Sequence, residues 1–218
     1  MCTGRIDLEF IFRAFLKGAD GVFIGGCYPG ECHYITHGNF SALSNVLISK
    51  RLLDLIGVNP ERLRLDWMSA SEGTRFAELI TDFSVKMKET GTLGKAEGLD
   101  DKALQLKIKS VIKLVPYIKL VERERFRVPS RTVEAYNDFY NGNEADRIFR
   151  ELISDKLAIS QIISLLDEKP MPAGKISEVL GLSPSEVSKH LKSSAIQGLA
   201  KYDMKSKCYV SVNEGIEV

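Results

Sequence analysis

No apolar run in this chain of 218 residues approaches the roughly 18 that cross a bilayer. No basic segment followed by an apolar stretch opens it either. The expectation is a soluble, cytoplasmic protein with no membrane partner. Substrate chemistry has no visible residues: there is no Ser-His-Asp set, no phosphate-cradling loop and no paired catalytic carboxylates. Gly25-Gly26 is too short for a dinucleotide fingerprint. The chain therefore reads as a non-catalytic subunit. Net charge is nearly absent, at +1 from 30 basic and 29 acidic residues, so bulk charge selects no partner. Internal repeats and low-complexity tracts are absent too.

Cysteine is scarce, but it is clustered. Of the four, Cys2, Cys27 and Cys32 fall in the first segment and Cys208 lies near the end. Without a secretory signal, a disulfide framework does not fit, and clustered thiols read first as metal or redox ligands. The plain alternative is that they are small buried residues. Cys208 falls in a predicted strand and is assigned to packing.

With 44% hydrophobic and 27% charged residues, the composition is that of globular protein, long enough for two domains. The first block alternates helix and strand. Asp7 caps a predicted helix carrying Leu8, Ile11, Phe12 and Phe15 on one face, and Gly18 ends it. Val22 to Ile24 reads as a buried strand, Phe40 to Ile56 as a helix, and Leu63 to Trp67 as a second strand. Ser71 is placed as the cap of a third helix with Phe76, Leu79, Ile80, Phe83 and Met87 on one face. The alternation predicts an α/β domain with a small parallel sheet over 1–92, in a flavodoxin-like arrangement.

Glycines at 91, 94 and 98 mark a linker. A helical segment follows within 93–144, in which Pro116 predicts a kink or an early end. Residues 99–131 hold nine basic side chains against four acids, net +5, a surface suited to acidic protein, nucleic acid or solvent alone. Pro129 to Gly142 is polar and aromatic and has no clear assignment.

Residues 145–218 read as a winged helix-turn-helix. Ala145 to Leu166 is helical, Ala173 to Leu180 is a short helix, and Ser183-Pro184-Ser185-Glu186 carries a capping box with proline at the first helical position. Two extended pieces around Asp203 to Lys207 make the wing. Ser185, Ser188, Lys189, His190 and Lys192 are candidates for contacting phosphates or bases. The block holds ten basic and ten acidic residues, so protein docking or dimerisation ranks ahead of DNA binding.

Cys27-Tyr-Pro-Gly-Glu-Cys32 follows directly on the first strand, where Pro29 and Gly30 turn the loop back. That is the carboxyl end of a parallel strand, the usual ligand position in open α/β sheets. An x4 spacing of thiolates is known among iron–sulfur ligands. His33 and His37 stand just beyond and offer imidazole as a further ligand, or simply surface polarity.

Three blocks then carry a resemblance: Cys2-Thr-Gly-Arg-Ile-Asp7, the stretch Gly18 to Tyr34, and the stretch Pro60 to Glu78. Over about residues 1–90 the chain resembles the delta (iron–sulfur) subunit of methyl-viologen-reducing hydrogenase. The resemblance implies a carrier holding an iron–sulfur cluster of the 2Fe-2S type on Cys2, Cys27 and Cys32. It also implies electron transfer from a hydrogenase, or another donor, to a heterodisulfide-reductase-type flavoprotein complex. Members of that family carry a further N-terminal strand with a Cys-x-x-Cys pair, so the first strand and a fourth ligand are expected to be missing here or supplied by another polypeptide. Two other functions remain open on the sequence. One is a redox-responsive DNA-binding regulator; the other is a structural assembly module whose cluster site is lost.

Overall fold

The computed structural model describes residues 2–34 and 38–212. The chain is mixed α/β and mostly helical, with one small parallel sheet near its start and a helix-turn-helix with a hairpin at its end.

Helix α1, Leu8–Leu16, forms as its sequence dictates. The Asp7 carboxylate accepts from the Glu9 N–H at 3.0 Å, and Leu8, Ile11, Phe12 and Phe15 are buried on one face. Strand β1, Val22–Gly26, pairs in parallel with β2, Leu63–Trp67, in a register running from Val22↔Leu63 to Gly26↔Trp67. Helix α2, Asn39–Leu55, is the crossover between them, and its Leu43, Val46, Leu52 and Leu53 are buried. A Cβ at Gly26 would lie 2.7 Å from the Trp67 ring, so the absent side chain is what lets the indole cross the strand end.

Helix α3, Gly73–Thr90, departs from the sequence expectation in two ways. Ser71 does not cap it; Glu72 occupies the cap position, and its carboxylate instead accepts from the Ser69 N–H at 2.7 Å. Its predicted apolar stripe is buried only at Phe83 and Met87, while Phe76 is 49% exposed. The exposed end of the stripe borders the cavity described below.

An ion pair pins this region from inside. Arg62, wholly buried, donates from Nε to Glu97 Oε1 at 2.6 Å and from Nη1 to the carbonyls of Asp20 and Gly91, each at 2.9 Å. Glu97 also accepts from the Gly94 N–H at 2.8 Å. One guanidinium thus ties the approach to β1, the start of β2 and the glycine-rich turn after α3, leaving the charge paired and hydrogen-bonded.

Helix α4, Asp101–Arg125, does not stop at Pro116. A proline inside a helix costs about 3 kcal/mol. Val111, Val115, Ile118 and Val121 are buried on both sides of it, each contributing roughly 1.5–3 kcal/mol, and together they outweigh that cost. The helix shares one apolar core with α1, α2 and both parallel strands, so the stretch after the glycines is packed rather than free-running. The polar, aromatic segment resolves into α5, Val133–Tyr140, capped by Thr132 on the Ala135 N–H. Phe126 anchors it, with ring centroids 5.4 Å from Tyr140 and 5.7 Å from Phe149.

Helix α6, Asn143–Ile148, continues through a π-helical turn, Phe149–Ser154, into α7, Asp155–Glu168. Helix α8, Ala173–Leu180, ends at Gly181 in the left-handed conformation (φ +68°), and α9, Pro184–Ile196, begins with the full reciprocal box between Ser183 and Glu186. Strands β3, Ala200–Asp203, and β4, Cys208–Ser211, pair antiparallel, and Met171 bridges to Tyr209 as a third extended partner. A second core of Ile162, Leu166, Met171, Ile176, Val187 and Leu191 holds this unit together.

Candidate functional site

The cysteine loop leaves β1 at Gly26 and rejoins helix at Asn39. Asn39 sets its path: the side-chain amide donates to the carbonyls of Cys27 at 3.0 Å and Tyr28 at 2.8 Å. Gly30 has φ +89°, which lets the chain turn back without strain. The Tyr28 hydroxyl donates to Glu72 at 3.2 Å, joining the loop to the start of α3. Gly38 closes it by proximity, since a Cβ there would lie 2.1 Å from Cys32 Sγ and 2.5 Å from the Tyr34 carbonyl oxygen.

Cys2 arrives from the other side. It caps the short turn Thr3–Arg5, its sulfur accepting from the Gly4 N–H at 3.4 Å, while the Thr3 hydroxyl donates to the Gly25 carbonyl at 2.7 Å. This places Cys2 Sγ 3.9 Å from Cys32 Sγ. Cys2, Cys27 and Cys32 line one open cavity of about 770 Å3 at the carboxyl ends of β1 and β2, together with Met68, Glu72 and Phe76. Among the described residues, no three or more His, Cys, Asp or Glu side chains are drawn together as a finished metal cage. The thiols share a cavity without closing on one point.

Their electrostatics differ. Burial pushes the Cys27 thiol up, as do its hydrogen bond to Cys32 and the nearby charges of Cys32 and Cys2. Burial also works against ionising Cys32. Backbone N–H groups at Asn39 and Tyr34, with hydrogen bonds from the Cys27 and Cys2 thiols, outweigh it and draw the Cys32 thiol below the usual range. Cys32 is the sulfur around which the loop is built.

His33 lines the same cavity, exposed, with its ring edge-on to Tyr34 at 5.3 Å. His37 lies outside the described residues. Cys208 sits half-buried in β4, far in sequence and in fold from the other three.

On α9, four of the five candidate contact residues, Ser185, Ser188, Lys189 and Lys192, lie on one exposed face, and His190 does not. His190, next to Lys189 in sequence, is buried, 5% exposed. Lys189 Nζ is paired with Asp155 at 2.8 Å, and the Ser188 hydroxyl donates back to the Pro184 carbonyl at 2.8 Å. Ser185 and Lys192 are exposed. The inward turn of His190 is readable from its place three residues after Val187, which is wholly buried on the same helix.

Fold and site together define a thiol-lined α/β region joined to a winged helix-turn-helix. Family comparison separates the same two parts. Residues 1–91 match the model for the methyl-viologen-reducing hydrogenase delta subunit, and residues 160–199 match that of the bacterial regulatory protein arsR family. Over 92 residues the chain is 38% identical to the iron-sulfur subunit of the vhu F420-non-reducing hydrogenase of Methanopyrus kandleri, covering 42% of this chain and 69% of that one. It is 47% identical over 90 residues to the iron-sulfur subunit of the F420-non-reducing hydrogenase of Archaeoglobus profundus, covering 41% of this chain and 65% of that one. A further 47% identity, over 94 residues, relates it to one polypeptide of the ferredoxin:CoB-CoM heterodisulfide reductase of Methanosarcina mazei, covering 43% of this chain but only 12% of that protein. Through its first 91 residues the chain belongs to the methyl-viologen-reducing hydrogenase delta subunit family. No helix among the described residues is long and apolar enough to cross a membrane.

Proposed function

We propose that this protein is an iron–sulfur electron-transfer subunit whose Cys2, Cys27 and Cys32 hold a cluster of the 2Fe-2S type. The observation that carries the reading is the approach of Cys2 and Cys32, 3.9 Å between sulfurs, on a cavity that Cys27 also lines. Three soft thiol donors fit an iron–sulfur group better than any hard cation. A cluster bound there supplies one-electron oxidation and reduction. The chain's own residues do the rest. Asn39 fixes the loop carbonyls, the N–H groups at Asn39 and Tyr34 offer hydrogen bonds to the Cys32 sulfur, and Gly38 keeps the backbone against it. Such hydrogen bonds to sulfur are a main lever on reduction potential. Three thiolates leave one ligand position, for which His33 on the same cavity or a partner's residue is available.

On this reading the division is 1–92 for a flavodoxin-like iron–sulfur region, 93–144 for the helical connection and 145–218 for the winged helix. The partners are a hydrogenase or other donor on one side and a heterodisulfide-reductase-type flavoprotein complex on the other, in the cytoplasm. The names of the relatives support this class of partner.

Purified without oxygen, the chain is expected to carry about two irons and two sulfides, in keeping with a two-iron cluster. Its absorption should bleach on reduction. Cys27→Ala is expected to lose the iron while α8, α9 and the hairpin stay folded by circular dichroism. Full iron in that variant would overturn the ligand assignment.

A second reading is favoured by the arsR-family match over residues 160–199: a DNA-binding regulator whose winged helix responds to the redox state of the first region. It ranks lower because residues 145–218 hold equal numbers of basic and acidic residues and His190 is buried. A salt-sensitive gel shift on the neighbouring promoter would favour it.

A further inference from the structure

A second cavity, of about 480 Å3, opens between α2, the end of α4 and α5, away from the cysteines. Its floor is a continuous hydrogen-bonded chain. The Ser44 hydroxyl donates to Glu122 Oε1 at 2.6 Å, which leaves the Tyr140 hydroxyl to donate to Ser44, 2.7 Å away. Ser44 is 8% exposed and Tyr140 is 1% exposed. Around this floor stand Arg123, Arg127 and Arg131, with Phe126 and Tyr136 as apolar walls.

The charges do not cancel. Arg123 lies against its neighbour Glu124 at 2.9 Å, in a pair that is largely solvent-exposed and so worth little. Arg127 forms no ion pair among the described residues. Glu122 is committed to Ser44, and burial pushes its carboxyl up, against the influence of Ser44 and Lys119. The cavity is therefore cationic at its wall and supplied with hydrogen-bonding oxygens at its floor. The basic stretch 99–131 has its densest part here, and the cysteine site uses none of it.

We propose that this cavity binds a small organic anion bearing a phosphate or carboxylate. The anionic group sits on the Arg127 guanidinium, and a polar, partly apolar body reaches the Ser44–Glu122–Tyr140 floor. Guanidinium forks match both oxyanions. The volume falls within the roughly 300–1,000 Å3 of small-molecule sites and exceeds what a bare inorganic ion fills. This does not depend on the iron–sulfur reading.

The test is calorimetric titration of the full chain with AMP and, separately, with citrate, at matched ionic strength. Saturable one-to-one binding of AMP alone assigns a phosphorylated ligand, and of citrate alone a carboxylated one. Arg127→Ala, at an exposed position, is expected to leave the melting temperature unchanged and to weaken that binding by about tenfold or more. Lys102→Ala, in the same basic stretch but off the cavity, is expected to leave it unaltered. No saturable binding of either probe overturns the proposal, as does an equal loss in the Arg127 and Lys102 variants, which would mark diffuse charge attraction.

Discussion

Arg62→Met is expected to destabilise the protein by about 3–5 kcal/mol, because it strands Glu97 as an uncompensated charge in the interior. Glu97 is 9% exposed and its partner not at all. With the guanidinium gone, the carbonyls of Asp20 and Gly91 also lose a donor. Urea unfolding followed by circular dichroism measures the loss, and a change under about 1 kcal/mol would mean that the pair is not the pin described above. The same pair sets a pH dependence. Burial alone would raise the Glu97 carboxyl, but Arg62 and the N–H groups of Gly94 and Asn59 overcome it and hold the group below its ordinary value. A depressed acid contributes stability that is complete above its unfolded pKa and is lost as pH falls through the folded one. Wild-type stability should accordingly decline in acid below about pH 4. A Glu97→Gln, Arg62→Met double variant should show a shallower decline.

Gly38→Ala is the second large expected effect. The requirement at Gly38 is space. An added methyl would meet Cys32 Sγ at 2.1 Å and the Tyr34 carbonyl oxygen at 2.5 Å. One of these contacts is backbone, so no rotamer change relieves both. The loop must move, and the sulfur with it. The iron-free variant should release Cys32 to a thiol reagent several-fold faster than wild type, and anaerobic iron content should fall. Unchanged thiol kinetics would show that the loop accommodates the methyl without opening. Because the thiol measurement needs no cluster, it separates the local geometry from the proposed cofactor.

Much of the fold is legible in the residues themselves. The stripe of α1, the two short apolar strands and the capping box of α9 are local patterns, and local patterns are what periodicity reads. The thiol cavity is legible for a different reason: Pro29 and Gly30 turn the loop at the end of a parallel strand. The misses share a cause. Pro116 predicts a kink or an early end because propensity is local, and the early end is averted because four buried side chains from distant contacts hold α4 through it. Ser71 looks like a cap, yet Glu72 has the longer reach to the Ser69 N–H. His190 stands among the candidate contacts because it lies near the lysines, and its phase with Val187 turns it inward. Arg62 and the Ser44–Glu122–Tyr140 floor give no signal at all. Their partners lie 35 residues apart for Arg62 and Glu97, and 78 and 96 apart for Ser44 with Glu122 and Tyr140, distances no window spans.

Helix α4 carries a consequence of its own. Leu104 and Ile108 belong to the core around the parallel sheet, while Leu106, between them, belongs to the core of the helix-turn-helix. The same helix packs on α1 and on α7. It works like a shared beam between two rooms: neither can shift its wall without loading the other. Through α4, then, the core around the parallel sheet and the α7 face on which α9 rests share one continuous element.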